Sequence, residues 1–518
     1  MGSRVEPELP SRFHRSHFLL NEYAPEMAGT LLFYDFETDG ADPQFSRPYQ
    51  FACVRTDMDL NPIPGPEGKG IEFLCRPSDD HLPAPEAVLI TGITPQQAAA
   101  KGLHEAEFFG RIHALCNTPG TISVGWNSLR FDDLLCRWGF WRNFLEPYGH
   151  TYAMGCRAWD LIDLTRAAWA MRPEGLMWPL RDDQSPSFRL DQLAPANGID
   201  HGDAHDALAD VHATVAFARL LKDAQPKLWN YGLSLCETDQ VESLLEPGTM
   251  IVHSTTRIPN RVGCTTLMHV IGKTGPKSRD FIGWDLRKDP SELLESDAET
   301  IARRTFSSQE TLGDTTRFAL KKIKSNRAPF VLEASDAVLE SFDTDRLELD
   351  LAEIKRHHQL LDNPTVAAHL RRQIQEVWQF EGMSADDAED ALYDGFLHGH
   401  DKALIKSIPG MPADQLVSLE SQFEDRRLPG LLLHYRARNF PETLDQHAAD
   451  RWAERCRSRL TAPRGRYELG WPIWRTHVQE MIAEAADNLT QLEQLTQVLD
   501  WGDEIAERIN LPMPTTAG

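Results

Sequence analysis

The stretch that decides the fold is Gly29–Thr38, which reads GTLLFYDFET. Its first six residues form an apolar run beside turn formers, which predicts a strand buried on both faces. Asp35 and Glu37 follow at the C-terminal end of this strand, and a strand's period of two places both carboxylates on one face. Carboxylates that close repel each other unless a cation lies between them, and oxygen ligands suit hard Mg²⁺ or Mn²⁺. The alternative is a strand end that runs into a polar turn, because D-x-E occurs by chance in many proteins.

Strand and helix patterns alternate through the rest of the first 222 residues. Two predicted strands are joined by the turn-rich segment 61–66, which indicates a hairpin. This order of elements favours an α/β domain that ends near residue 222. The predicted strands are 51–55, 71–75 and 121–125, and the predicted helices are 105–116 and 206–221.

Two changes in the sequence pattern indicate further domains. Short β-like runs from about residue 247 to 335 predict a small, antiparallel, barrel-like domain with a helical insertion around 290–304. Beyond about residue 350, apolar residues recur at three- and four-residue spacing, which predicts an almost wholly helical region. A chain of 518 residues is also too long for one ordinary core.

Composition disfavours several classes of protein. With 41% hydrophobic and 25% charged residues, the chain has the balance of a soluble globular protein, and no apolar run approaches the ~20 residues that cross a bilayer. The first thirty residues contain no signal-peptide pattern, and the eight cysteines are scattered without a CxxC pair, so we expect reduced thiols and a cytoplasmic protein. A net charge of −25 disfavours non-specific coating of DNA but is compatible with a nuclease whose carboxylates bind cations.

Two further segments carry candidate metal-binding carboxylates. Residues 127–133 read NSLRFDD and follow a predicted strand at the start of a helix, where aspartate is also common as an N-cap. Residues 205–210 read HDALAD at the entry to the last helix of the domain, with Asp206 as the expected cap. Asp210 then lies on the apolar side of that helix, which is costly for a carboxylate unless it is paired or binds a metal. His205 projects from the preceding loop, and an exposed histidine without a partner is the alternative interpretation.

Taken together and in this order, the three segments resemble the DEDDh exonuclease superfamily. The matching positions are Asp35, Glu37, Asp132, His205 and Asp210. Other stretches look like the bacterial exodeoxyribonuclease I family, and they occur from the first part of the chain to the last. They are RPYQFA at 47–52, LITGITPQ at 89–96, RPEG at 172–175, PSFRL at 186–190, LYDGF at 392–396 and YRARNFP at 435–441.

The resemblance implies a three-domain architecture. It predicts an α/β exonuclease domain of RNase H-like (DnaQ-like) fold, a mixed sheet flanked by helices, over residues 29–222. An SH3-like β domain with helical insertions would span 223–376, and an α-helical C-terminal exonuclease I domain would span 377–508. Residues 1–28 are expected to be a flexible extension and 509–518 a flexible tail.

The resemblance also implies a 3′→5′ exodeoxyribonuclease that acts in DNA repair or recombination. Such an enzyme degrades single-stranded DNA to nucleoside 5′-monophosphates by two-metal-ion hydrolysis. In this scheme Asp35 bridges two Mg²⁺ ions, for which Mn²⁺ substitutes, and Glu37 and Asp210 complete the coordination of one ion. Glu37 is also expected to contact the substrate.

Two residues near these ligands have other implied roles. Asp132 helps to position the second ion, and His205 is the general base that accepts a proton from the attacking water. The sequence leaves open whether Asp133 takes the place of Asp132, since both are carboxylates at a helix start.

DNA binding needs cations for phosphates and flat surfaces for bases. In the first domain the family resemblance places DNA contacts at Arg189, within the PSFRL stretch, and at Arg137, Tyr148, Tyr152 and Arg166. Core packing is the alternative for the tyrosines. In the middle domain, the densest basic cluster consists of Lys321, Lys322, Lys324 and Arg327. This cluster is either a DNA contact or an edge strand protected by lysines.

The resemblance further suggests a protein partner, the C-terminal tail of single-stranded-DNA-binding protein, with Arg172 as a candidate contact. No membrane partner is expected, and the chain is expected to be a monomer. One rival function is an RNA-directed or proofreading 3′→5′ exonuclease, which the roughly 300 residues beyond the first domain disfavour. The other is a non-catalytic single-stranded-DNA-binding protein, which the presence of all five expected active-site residues disfavours.

Overall fold

The computed structural model describes residues 29–65, 70–200, 202, 206–379, 385–462, 465 and 468–512.

The first sheet is built around a central strand that pairs with a neighbouring strand on each side. The strands of this sheet are β1 (Thr30–Thr38), β2 (Pro48–Thr56), β3 (Ile71–Leu74), β4 (Thr121–Gly125) and β5 (Arg157–Asp160). Their order is β3–β2–β1–β4–β5, with β1 antiparallel to β2 and parallel to β4. The predicted hairpin of β2 and β3 is confirmed, since these strands pair antiparallel.

Strand β1 is longer than its apolar run. It continues through Asp35 and Glu37 to Thr38, because β2 pairs with it along its whole length, with Asp35 opposite Ala52 and Glu37 opposite Gln50. The two acidic residues therefore lie in the strand and not in the turn that follows it.

Helices cover both faces of this sheet. The α-helices described here are α1 (Pro85–Thr91), α2 (Pro95–Lys101), α3 (Glu105–Cys116), α4 (Asp132–Arg142), α5 (Leu161–Met171), α6 (Leu190–Ala196) and α7 (Ala207–Ala224). Leu31 and Phe33 of β1 pack in the same core cluster as Val211 of α7. Leu32 of β1 belongs to a second cluster, together with Phe108 of α3. The alternation along β1 therefore gives Asp35 and Glu37 the face that is covered by α7.

A second sheet is antiparallel throughout. It consists of β6 (Met250–Ser254), β7 (Thr265–Lys273), β8 (Asp280–Asp285), β9 (Leu320–Lys324) and β10 (Val331–Glu333), in the order β10–β6–β7–β8–β9. The helices of this part are α8 (Pro226–Ser234), α9 (Thr238–Leu244), α10 (Ser291–Leu294), α11 (Ala298–Phe306), α12 (Gln309–Leu312) and α13 (Asp336–Glu340). The helical insertion expected around 290–304 lies between β8 and β9, and α12 extends it beyond the predicted end.

The remainder of the described chain is helical, as its apolar spacing predicts. Its α-helices are α14 (Leu351–Asp362), α15 (Pro364–Val377), α16 (Gly399–Ser407), α17 (Leu428–Asn439), α18 (Gln446–Thr461), α19 (Trp471–Glu484) and α20 (Leu489–Arg508). Helix α20 packs against α1 and α2, and the Trp474 indole donates to the Pro83 carbonyl at 2.7 Å. None of the helices within the described residues is both long and apolar enough to cross a membrane.

A buried network of charges joins the first sheet region to the C-terminal helices. Asp80, which is 0% exposed, accepts from Arg47 at 3.1 Å, from Arg438 at 3.2 Å and from Arg455 at 2.8 Å. Glu389 is also buried and pairs with the same three arginines at 3.1, 2.6 and 3.2 Å. We call these five residues the interdomain charge cluster.

Candidate active site

Three carboxylates meet where β1 faces the start of α7. One ligand oxygen each from Asp35, Glu37 and Asp210 lies within 4.8 Å of the others. Among the described residues, no second group of three potential metal-binding side chains is this close together. The period of β1 brings the first two carboxylates side by side, and α7 supplies the third.

The start of α7 is fixed by capping and by a link to β2. Asp206 is the N-cap of α7, as predicted, and accepts from the backbone N–H of Ala209 at 3.2 Å. Gln50 lies opposite Glu37 in the sheet, donates to the Asp206 carboxylate at 2.9 Å and accepts from the Ala207 N–H at 3.2 Å. Because the cap and Gln50 hold the first turn of α7 against β2, Asp210 has a fixed position beside β1.

The electrostatics of the cluster favour a bound cation. Burial, followed by the charges of Asp132, Glu37 and Asp210, raises the pKa of Asp35 well above its ordinary value. Burial and the charges of Asp210 and Asp132 raise the pKa of Glu37 to about 8. The repulsion among these carboxylates is relieved by a proton or by a divalent cation, and an all-oxygen donor set suits Mg²⁺ or Mn²⁺. The residues present therefore fit a divalent metal site.

Asp132 borders this group. It occupies the first helical position of α4 and is 4% exposed, and burial raises its pKa to about 8. Its charge acts on both Asp35 and Glu37, although it is not one of the three residues within 4.8 Å of one another. The N-cap of α4 is Phe131, so N-capping explains neither Asp132 nor Asp133.

The neighbouring Asp133 has a different environment. It is 0% exposed, and its carboxylate pairs with Arg137 Nε at 2.9 Å, with His150 Nε2 at 2.8 Å and with Arg327. Burial by itself raises the pKa of Asp133, but Arg137, Arg327 and His150 together lower it below its ordinary value. Protein cations neutralise Asp133, whereas Asp132 faces other carboxylates, so the geometry favours Asp132 as the metal-site residue.

The predicted general base, His205, lies outside the described residues, so its role stays a prediction.

Family models match successive parts of the chain. A model described as "Exonuclease" matches residues 32–218, "Exonuclease I SH3-like domain" matches 237–380, and "Exonuclease I C-terminal domain" matches 386–505. Exodeoxyribonuclease I of Escherichia coli is 37% identical over 479 residues, which cover 92% of this chain and 98% of that protein. The chain belongs to the exodeoxyribonuclease I family.

Solved structures of this family have the same architecture. E. coli exonuclease I in complex with a dA16 oligonucleotide matches with a TM-score of 0.85 and 37% identity, over 92% of this chain and 100% of that one. A moderately thermophilic exonuclease I from Methylocaldum szegediense matches with a TM-score of 0.84 and 38% identity, over 92% and 100% of the two chains. The E. coli protein also matches as a zinc-bound complex with single-stranded DNA, and an SSB/exonuclease I structure in complex with an inhibitor matches as well. The predicted fold, with its mixed sheet, SH3-like domain and helical C-terminal region, is confirmed, as is its assignment to a family of nuclease hydrolases.

In this exodeoxyribonuclease I family member, two of the predicted DNA-contacting arginines are buried in ion pairs. Arg137 is 7% exposed, pairs with Asp133 and lies 5.1 Å over the Tyr148 ring. Arg166 is 5% exposed and pairs with Asp163 at 2.6 Å. These arginines compensate buried carboxylates, which the sequence alone did not indicate, and their contact with DNA stays a prediction.

Other predicted contacts are accessible. Arg189 has a side chain that is 58% exposed, precedes α6 and pairs with Asp191 at 2.6 Å. Tyr152 is 63% exposed, whereas Tyr148 is half-buried. Arg172 is exposed at the end of α5.

The basic cluster of the SH3-like domain lies on the edge strand β9 and the turn that follows it. Lys321 and Lys322 are half-buried and Lys324 is exposed, and Lys322 pairs with Asp280 of β8 at 3.0 Å. Because β9 is at the edge of its sheet, both sequence interpretations, DNA contact and edge protection, fit this placement.

Asp160 was not among the residues predicted for the site. This residue ends β5 and caps α5, and its carboxylate accepts from the backbone N–H groups of Asn127 at 2.9 Å and Leu129 at 3.4 Å. It therefore holds the loop that leads into Asp132. An aspartate between a strand and a helix is a capping signal, but nothing in the sequence connects it to residue 127.

Proposed function

We propose that this chain hydrolyses single-stranded DNA from the 3′ end and releases nucleoside 5′-monophosphates, with Mg²⁺ as its physiological metal. The observation that carries the proposal is the group of Asp35, Glu37 and Asp210, whose ligand oxygens lie within 4.8 Å of one another. It is supported by the family membership along all three domains. The similar E. coli structures are named as complexes with DNA oligonucleotides or single-stranded DNA and, in one case, with zinc.

The proposed roles follow from the placement of each carboxylate. Two divalent cations, when bound, supply an activated water and stabilise charge on the leaving oxygen. Asp35 would help to hold both cations, because its ligand oxygen lies within 4.8 Å of those of Glu37 and Asp210 and the charge of Asp132 also acts on it. Glu37 and Asp210 would complete one site, and Asp132 would hold the second cation.

Protein groups would also handle the proton and the substrate. His205 would accept the proton of the attacking water, because an ordinary imidazole has a pKa near 6.5 and is mostly neutral at pH 7–8. Glu37 would also contact the terminal nucleotide, since it lies in the group of carboxylates at which that nucleotide would be cleaved. The exposed side chains of Arg189 and Tyr152 suit a phosphate and a base, respectively.

Further residues would bind the DNA strand beyond the active site or a protein partner. Tyr148 and the three lysines Lys321, Lys322 and Lys324 would extend the track for the single strand, and Arg137 and Arg166 would support it from their buried ion pairs with Asp133 and Asp163. We also propose that the chain acts as a cytoplasmic monomer and that Arg172 contacts the C-terminal tail of single-stranded-DNA-binding protein. The last point is supported by the exposure of Arg172 and by the similarity to a structure described as SSB/exonuclease I in complex with an inhibitor.

The test compares four labelled substrates of one sequence. Single-stranded DNA labelled at the 5′ end, the same strand with a blocked 3′ end, the matching RNA and the duplex are each incubated with Mg²⁺. We expect a ladder that shortens from the 3′ end of unblocked single-stranded DNA. Faster digestion of RNA would favour the RNA-directed rival, and binding without digestion would favour a non-catalytic DNA-binding protein.

Two variants test the assigned roles. Asp35→Ala should abolish digestion, because it removes the ligand shared by both cations. His205→Ala should lose most turnover while it keeps Mn²⁺ and DNA binding. Unchanged turnover in either variant would remove that residue from the mechanism.

A further inference from the structure

Arg327 belongs to the SH3-like domain, but its side chain contacts residues of the exonuclease domain. It ends the short turn Ser325–Arg327 that follows β9, and its side chain is 15% exposed. Its guanidinium Nη1 donates to the carbonyl of Leu129 at 3.3 Å and to the carboxylate of Asp133. The turn that directs the Arg327 side chain toward these two acceptors is followed by Ala328, which has a left-handed backbone conformation with a φ of 40°.

The two acceptors of Arg327 lie on either side of Asp132. Leu129 is in the loop before α4, and Asp133 follows Asp132 directly. The backbone N–H of Leu129 is held from the other side by Asp160, at 3.4 Å. The segment that presents Asp132 is therefore fixed by Asp160 from within the exonuclease domain and by Arg327 from the SH3-like domain.

Helix α4 does not fix this segment by capping. Its N-cap position is Phe131, which makes no side-chain capping hydrogen bond and has φ −131° and ψ −73°. A helix start without a cap has N–H groups that its own turn does not satisfy and frays more readily. Contacts from outside the helix therefore have more effect on where Asp132 lies.

Asp133 needs the charge that Arg327 brings. It is 0% exposed, and its other two partners, Arg137 and His150, belong to the exonuclease domain. Removing one partner from a buried carboxylate leaves it partly uncompensated, so the first turn of α4 would shift toward solvent or toward another cation. Such a shift would move the neighbouring Asp132.

We propose that Arg327 is a positioning residue for Asp132, so that the SH3-like domain completes the metal site of the exonuclease domain. This inference rests on the proposed function, because it assigns Asp132 to the second cation. Arg327 would act through Leu129 and Asp133, the two residues that its guanidinium contacts. The basic cluster in which the sequence places it thus has two kinds of member, the lysines of β9 and an arginine that supports the active site.

The experiment compares Arg327→Ala and Arg327→Lys with the unchanged full-length chain. Arg327 makes both contacts through a single nitrogen, Nη1, and lysine also supplies one cationic donor group, so it should restore most of what alanine removes. The matched control is Arg346→Ala. Arg346 is another arginine of the SH3-like domain that contacts the exonuclease domain, since it donates to the Ala170 carbonyl at 3.0 Å and lies 4.8 Å over the Trp169 ring.

Two readouts separate the possible roles of Arg327. Mn²⁺ binding is titrated by electron paramagnetic resonance without DNA, and kcat and KM are measured on single-stranded DNA over a range of salt concentrations. For Arg327→Ala we expect the weaker of two Mn²⁺ sites to lose about tenfold or more in affinity and kcat to fall to a similar extent, because residues that orient metal ligands have effects of this size. KM should change less than about twofold, and Arg346→Ala should match the unchanged chain in both readouts.

Three results would overturn the inference. A raised KM with a weaker salt dependence and unchanged Mn²⁺ binding would make Arg327 a phosphate contact. Lower thermal stability alone, with Mn²⁺ affinity and kcat intact, would make its role structural. An equal loss of Mn²⁺ affinity in Arg346→Ala would point to domain docking in general. If the unchanged chain binds Mn²⁺ but digests no DNA, the proposed function fails, whereas the effect of Arg327 on Mn²⁺ binding remains measurable.

Discussion

The interdomain charge cluster offers the sharpest test of what holds the domains together. The perturbation is Asp80→Asn, which keeps the shape of the side chain and removes its charge. Asp80 is 0% exposed and accepts from three arginines, at 3.1, 3.2 and 2.8 Å. Burial alone would raise its pKa, but Arg47, Arg438 and Arg455 lower it well below the ordinary value. Asp80 is therefore ionised in the folded protein.

The size of the stability loss follows from the charges that remain in the cluster after Asp80→Asn. In Asp80→Asn the three guanidiniums, whose side chains are 2–10% exposed, share Glu389 as their nearest common carboxylate. Removing one partner from a buried ion network costs about 3–5 kcal/mol. At roughly 2–4 °C per kcal/mol for a domain of 150–250 residues, the melting temperature should fall by about 6 °C or more.

The assay is thermal and urea unfolding, followed by circular dichroism and by tryptophan fluorescence. The matched control is Asp79→Asn, the same substitution at the adjacent residue. Asp79 pairs with Arg508 at 2.9 Å, with both side chains partly exposed, so its loss should cost less than about 1 kcal/mol. Equal midpoints for the two variants would refute the claim that the buried charges stabilise this interface.

Three further predictions concern metal, pH and substrate. In the absence of metal, Asp35→Asn should raise the melting temperature, because it removes one of several closely spaced carboxylates. Mn²⁺ should stabilise the unchanged chain more than the variant, and differential scanning fluorimetry checks both expectations. Burial, followed by His358, lowers the pKa of His269 to about 3. The unfolded chain takes up this proton below about pH 6.5, so stability is full above that pH and falls as the pH drops, by up to about 1.4 kcal/mol per pH unit. Urea midpoints at pH 7 and pH 5 should differ less in His269→Gln. Arg189→Ala should raise KM about tenfold and reduce the logarithmic salt dependence of binding by about one, as steady-state kinetics and binding titrations at several salt concentrations would show.

The two-residue period of β1 and the capping residue of α7 were enough to predict the strand and the helix that hold the candidate site. The alternation of β1 predicts one face for Asp35 and Glu37, and the structure places their ligand oxygens in one group with that of Asp210. Asp206 was predicted as a cap and is one. The shared face of Asp35 and Glu37 and the cap at Asp206 depend on neighbours a few residues away, so the local sequence pattern predicts them. The grouping with Asp210 was implied by the family resemblance.

Features that depend on distant partners could not be predicted in this way. The sequence could not separate Asp132 from Asp133, because the difference depends on contacts of Asp133 with His150 and with Arg327, and Arg327 lies 194 residues further along the chain. The family resemblance predicts Arg137 as a DNA contact, yet its side chain is buried against Asp133 in the structure. The resemblance therefore did not predict which cations face solvent.

Buried carboxylates in this protein fall into two groups, which differ in whether arginines reach them. Burial raises the pKa of both Asp80 and Asp35, yet arginines reverse that effect at Asp80, whereas further carboxylates strengthen it at Asp35. Asp132 and Asp133 show the same contrast at adjacent positions. A carboxylate that the protein neutralises needs no cation, whereas one that faces other carboxylates is stabilised when a divalent ion binds. The surrounding arginines thus separate the residues that join the domains from those that would bind metal, and Arg327 lies where the two groups meet.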